Sequence, residues 1–353
     1  MRTPILRRAA GLALLASLNV CSAVAAPFYR LESALTIKSP SLPNWDYLCF
    51  DSSRDVLYIA RRDDGILIYD AKEKKITGTI ENTKGGNATT LVPEFDRGYV
   101  TNTDGSLTIF QLSTLKTLER VKLGDDADNA FYDPVTKQLL VTMGDSRRAA
   151  FVDAKTGKLI CMMSVDSEKL EGAAPDGNGN YFMALRDRNK VIRIDARARK
   201  VTAEWPVDGY VLPNGLAYDP ATKRIFVSTR GANPSLLVLD ATNGKIVAHP
   251  SIGGGNDLVI FDPETKKICT SNGFDGTLVI IDQIDADTYK LAEAATTRPY
   301  ARTMALDPKT KRIYLVTAEG TVDPAKAWKT SIAPFYPNTY FPDTFTLLTY
   351  SRQ

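Results

Sequence analysis

The sequence is almost devoid of histidine. His249 is the only one in 353 residues, which excludes a Ser-His-Asp triad, a His-ligated zinc centre and a His-ligated haem. Cysteine is also scarce, at four residues with no Cys-x-x-Cys-His among them. There is no Gly-x-Ser-x-Gly elbow, no Walker loop and no dinucleotide fingerprint; Gly253-Gly254-Gly255 reads as a turn between strands that leads into no helix. No stretch reaches the roughly 18 to 20 apolar residues that a transmembrane helix needs, so a soluble mature protein is expected. The formal net charge is only +3. A nucleic-acid footprint would therefore have to be a local patch, not a property of the whole chain.

What the sequence does contain is repetition. A short apolar strand, a turn built on Asp and a second strand recur along the chain. The clearest copies are Ala217-Tyr218-Asp219-Pro220-Ala221-Thr222-Lys223-Arg224-Ile225-Phe226-Val227, Ile260-Phe261-Asp262-Pro263-Glu264-Thr265-Lys266-Lys267-Ile268 and Ala305-Leu306-Asp307-Pro308-Lys309-Thr310-Lys311-Arg312-Ile313-Tyr314-Leu315. Anchored on the turn, the copies fall at Asp51, Val92 (beside Pro93), Asp133, Asp176, Asp219, Asp262 and Asp307, spaced by 41, 41, 43, 43, 43 and 45 residues. A period of this WD40-like length, with four strand-like segments in each repeat, predicts an all-β fold: a seven-bladed β-propeller of four-stranded antiparallel blades. Asp-Pro and Asn-Gly dipeptides separate strands filled by Val, Ile, Leu, Phe and Tyr.

The second repeat contains Tyr99-Val100-Thr101-Asn102 followed by Asp104-Gly105-Ser106-Leu107-Thr108-Ile109-Phe110. This resembles the YVTN-type β-propellers, and the chain as a whole resembles their periplasmic YncE-like branch. The resemblance implies a propeller and single-stranded DNA as a ligand class. It is weak evidence for chemistry, because propellers carry unrelated functions on one scaffold.

The first residues combine Arg2, Arg7 and Arg8, an apolar run over 9–18 and Ala23-Val24-Ala25, the pattern of a cleaved export signal over 1–25. A periplasmic or secreted single domain over 26–353, monomeric, is expected. Cys49, Cys161 and Cys269 fall on different blades, so they are expected to remain free thiols, since a bridge needs Cα atoms within about 7 Å. The last repeat is interrupted by a segment over 318–343 rich in proline and aromatics and ends in one strand. A strand over 29–37 is expected to supply the missing outer strand of blade seven, closing the ring without an exposed edge.

In a propeller the inner strand of every blade begins at one mouth of the central channel. Five positions before each anchor, allowing for the register of blade two, stand Asp46, Asn87, Asp128, Glu171, Asn214, Asp257 and Arg302. This ring is expected to bind a small polar ligand, or a hard cation such as Ca²⁺, though opposite blades are far apart for one ion. Loops between second and third strands bring Arg61, Arg62, Arg147, Arg148, Arg186, Arg188 and Arg230 to the same face, with Trp328 from the insertion. Arginine beside stackable aromatics such as Trp45 suits phosphates and bases, unless Asp63, Asp64, Asp145 and Asp187 neutralise it. The expectation is a binding or scaffold module for an unidentified ligand or protein partner, single-stranded nucleic acid included, and not an enzyme. Its rivals are a calcium-assisted hydrolase or lactonase at the mouth and an accessory factor of an exported redox or metal-uptake system. Three scattered tryptophans do not supply the pattern of quinone-dependent propeller dehydrogenases.

Overall fold

The Asp-turn that marks the repeat is built the same way in blade after blade. Asp219 accepts the Ala221 N–H at 2.9 Å and the Thr222 hydroxyl at 2.5 Å. Asp262 does the same with Glu264 and Thr265, and Asp307 with Lys309 and Thr310. The carboxylate thus satisfies the turn donors itself, an Asx-type turn. The following lysine takes a left-handed conformation, φ 55° at Lys223, 52° at Lys266 and 59° at Lys311, and so reverses the chain. Blade two has Val92-Pro93 at this place and makes its turn through a short 3-10 segment, Pro93–Phe95. These repeated aspartates are structural.

Two strands leave each turn in opposite directions, and four make a blade. The computed structural model describes residues 28–144, 146–326 and 337–352, and these form seven four-stranded antiparallel blades. The inner strands are Leu48–Asp51, Gly86–Val92, Ala127–Asp133, Leu170–Pro175, Pro213–Asp219, Asn256–Asp262 and Met304–Leu306. Blade seven runs from that last strand through Ile313–Thr317 and Thr346–Arg352 to Tyr29–Thr36, as the sequence predicted. The segment between its second and third strands forms a hairpin the sequence did not suggest, Gly320–Thr321 against Thr339–Tyr340. Trp328 and the export signal lie outside the described residues.

Neighbouring blades are held by apolar sandwiches and by side chains that donate across the junction. Thr90 donates to Ala130 O at 2.7 Å, Ser271 to Arg302 O at 2.6 Å, and Thr303 to Asp46 O at 2.8 Å, the last joining blade seven to blade one. Gly172 and Gly215 allow inner strands to approach: a Cβ on Gly215 would stand 2.8 Å from Val259 N. Cys49, Cys161 and Cys269 are free thiols on three blades. No helix among the described residues is long and apolar enough to cross a membrane.

Candidate functional site at the channel mouth

The pairing of the inner strand with its neighbour slips at its start in blades two to six, between Gly86/Ala88, Ala127/Asn129, Leu170/Ala173, Pro213/Leu216 and Asn256/Val259. A β-bulge at that place releases a residue from the ladder and re-aims its side chain. The residues at the bulges are Asn87, Asp128, Glu171, Asn214 and Asp257. Asp46 and Arg302 stand just before the inner strands of blades one and seven.

Contacts join most of the ring. Arg302 reaches Asp46 at 3.9 Å and binds Asp257 through Nε at 2.5 Å. Asn214 Nδ2 donates to Asp257 Oδ1 at 3.1 Å, and its Oδ1 accepts from Arg186 Nη1 at 3.3 Å. The same Arg186 nitrogen lies 2.8 Å from Glu171 Oε1. The chain of contacts therefore runs from blade one through blades seven, six and five to blade four. Asn87 turns away and donates to Ala127 O at 2.9 Å.

The loop arginines divide into two sets. Arg62 binds Asp46, Arg186 binds Glu171, and Arg230 binds Asp257 at 2.8 Å. These three reach the acids of the ring, whereas the sequence grouped them with the other loop arginines as a rim for phosphates and bases. The others stay outside it. Arg61 is 1% exposed, bound to Asp64 at 2.8 Å and stacked 4.3 Å from the Phe345 ring centre, so it is a core residue and not part of a rim. Arg147 pairs with Glu168, Arg188 pairs with Asp166 and Asp187, and Arg148 is exposed. Trp45 is 2% exposed against Tyr300, Tyr340 and Phe345, which leaves its faces unavailable to a base.

The electrostatics of the four carboxyls differ sharply. Burial raises Asp128 well above the usual range, with Asp46 and Glu171 adding repulsion. Burial also raises Asp46 against the pull of Arg62 and Arg302. Glu171 is pushed up to about 7 by burial, with Arg186 opposing. Asp257 is lowered: burial works against its charge, but Arg230, Arg302 and Arg186 together prevail. Four arginines face these four acids, so every carboxyl that keeps its proton leaves a guanidinium charge uncompensated. Among the described residues no three His, Cys, Asp or Glu side chains are grouped to hold a metal ion. Arginine engages Asp46, Glu171 and Asp257 of the ring.

On the aromatic side of the mouth, sequence reasoning named Trp45 but missed Tyr300 and Tyr340. Asn44, Trp45, Arg230, Asp257, Tyr300, Arg302 and Tyr340 line a cavity of about 310 Å³. Tyr300 sits at φ 70° just before the inner strand of blade seven, and Tyr340 comes from the unexpected hairpin. Arg302 lies 5.5 Å from the Trp45 ring centre. Tyr47, next to Asp46, is also missed; burial raises its phenol, and the ring carboxylates Asp128, Asp46, Asp257 and Glu171 all add to that.

No family model matches the sequence. It is 26% identical over 191 residues to "Uncharacterized protein YncE" of Salmonella typhi and, to the same extent, to that of Salmonella typhimurium, covering 52% of this chain. The alignment spans 53%, about half the length, of these curated relatives. Among solved structures the chain resembles one from Kuenenia stuttgartiensis hydrazine synthase, at TM-score 0.68 and 17% identity over 80% of this chain and 94% of that one. It also resembles a chain of the mitotic checkpoint complex, at TM-score 0.71 and 14% identity over 99% of this chain and 98% of the other. These likenesses establish the architecture alone. The chain is thus a seven-bladed β-propeller that is similar to YncE over about half of its length.

Proposed function

We propose that the channel mouth binds a small organic anion, making the protein a binding module and not a catalyst. The observation that carries this reading is the convergence of four guanidiniums, Arg62, Arg186, Arg230 and Arg302, on one mouth where burial raises Asp46, Asp128 and Glu171 toward their neutral form and Asp257 alone is held charged. A planar guanidinium fork is the natural partner of a carboxylate, phosphate or sulfate group. The cavity beside Arg230 and Arg302 has room for one compact molecule, and Tyr300 and Tyr340 offer its apolar part a wall. Its Asp257 orients the two arginines and would repel an anion placed directly on it, so the ligand is expected to take the outward edges of the forks.

Sulfate is the simplest probe, because it keeps its two charges across the working pH range. Sulfate is expected to raise the melting temperature of the wild type saturably, as any ligand of the folded state does. Arg302→Gln and Arg230→Gln should each remove the effect, and Arg148→Gln, at an exposed site, should retain it. Equal stabilisation of all four proteins would refute a mouth site. A single-stranded oligonucleotide run in parallel tests the nucleic-acid reading: salt-sensitive binding lost in Arg147→Ala and Arg148→Ala but kept in Arg302→Gln would place the ligand on the outer face instead.

A further inference from the structure

Arg186 is the arginine of the ring whose bonding nitrogen is divided between an acid and a neutral amide. Its Nη1 is shared between Glu171 Oε1 at 2.8 Å and Asn214 Oδ1 at 3.3 Å, and its side chain is 26% exposed, whereas that of Glu171 is 11% exposed. Asp257, by contrast, is fixed by Arg230, Arg302 and Asn214 together. The guanidinium paired with Glu171 is therefore one that solvent can reach. Resting on the anion-site reading above, we propose that an entering anion displaces the Glu171 carboxylate from Arg186, and that Glu171 takes up a proton as it is displaced.

The balance is simple. The Arg186–Glu171 ion pair breaks, an Arg186–anion pair forms, and one proton moves from solvent to Glu171, so the charge of the occupied mouth changes by the ligand's charge plus one. The surroundings favour the exchange. The charged groups facing Glu171 are Arg186, Arg230 and Lys169 on the positive side and Asp257 and Asp128 on the negative side. Asp128 in turn faces Asp46, Asp126 and Arg62. Once Arg186 is engaged by a ligand, the acids that remain oppose a second negative charge, and burial does the same. The exchange runs in the direction in which burial already pushes the Glu171 carboxyl, toward its protonated form. Asn214 stays bonded to Asp257 and keeps the Arg186 fork directed at the mouth. Glu171 is in this sense a positioning residue that holds Arg186 until an anion seated beside Arg230 and Arg302 draws that guanidinium to itself, the three arginines all acting on Asp257.

The test is calorimetric titration of sulfate into the full chain at pH 6 and pH 8, repeated in two buffers of different ionisation heat to count protons. Wild type is expected to bind at least fivefold more weakly at pH 8 than at pH 6 and to take up protons on binding at the higher pH. Glu171→Gln, which presents no carboxylate to displace, should bind with nearly equal affinity at both pH values and exchange no protons. Arg186→Met should also lose the pH dependence and bind more weakly at pH 6. Wild-type binding that is tight, proton-neutral and independent of pH would overturn the exchange and leave the anion site standing. Absence of sulfate binding at either pH would overturn both.

Discussion

Glu171→Gln makes a prediction about folding that needs no ligand. The glutamate side chain is 11% exposed, and burial raises it from the ordinary value near 4.5 to about 7. For an acid raised in the folded state, the native protein holds the proton over a range where the unfolded chain has lost it. Stability then falls as pH rises through that window. The separation of about 2.5 pH units corresponds to roughly 3 kcal/mol, at 1.36 kcal/mol per unit. Most of that loss lies between about pH 4.5 and 7, and the curve levels off above pH 7.5. Urea unfolding of wild type and Glu171→Gln at half-unit intervals from pH 4 to 8 isolates it, because subtraction removes the titrating groups that do not face Glu171. Wild type should lose about 3 kcal/mol relative to the variant across that range. A difference that does not change with pH, or that moves in favour of wild type as pH rises, would refute the assignment of Glu171 as a buried, weakly compensated carboxyl.

Asp257 behaves in the opposite sense. Its lowered carboxyl contributes stability that is complete above the unfolded value and is lost only as pH falls through the folded one. Asp257→Ala removes the carboxylate that Arg230 and Arg302 share and should cost about 3 to 5 kcal/mol at pH 7 by denaturant unfolding. Gly215→Ala forces a Cβ to within 2.8 Å of the blade-six backbone. It should destabilise by roughly 1 to 3 kcal/mol, the cost of overpacking, measured as a lowered melting temperature. Since Cys49, Cys161 and Cys269 are free, and burial raises Cys49 and Cys269 to about 12, a reducing agent should leave the melting temperature unchanged.

The fold was legible because its signal is repeated. The Asp-x-x-Thr-Lys turn combines a carboxylate acceptor, a hydroxyl donor and a left-handed lysine, and each copy confirms the period set by the others. The strand over 29–37 could be assigned to blade seven because a propeller with a missing strand has only one place for it. The ring positions were also legible, since they hold a constant offset from the turn. The pairing of Arg62, Arg186 and Arg230 with the ring was not, because it depends on bulges that aim Glu171 and Asp257 toward loops of the same or the preceding blade. Glycine does not mark these bulges consistently: Gly86, Gly172 and Gly215 lie in three of them, while those at Asp128 and Asp257 contain none. The burial of Trp45 and Arg61 was hidden for a related reason: both are covered by Phe345, and Trp45 also by Tyr340, which arrive some 300 residues later in the chain.

The claim that the mouth is an anion site can be examined directly by diffraction from crystals soaked in tungstate, a heavy analogue of sulfate. The account predicts an anomalous peak within hydrogen-bonding distance of Arg302 or Arg230 at the aromatic cavity, absent from Arg302→Gln. Anomalous peaks confined to exposed arginines such as Arg148, with the mouth empty at saturating tungstate, would contradict it.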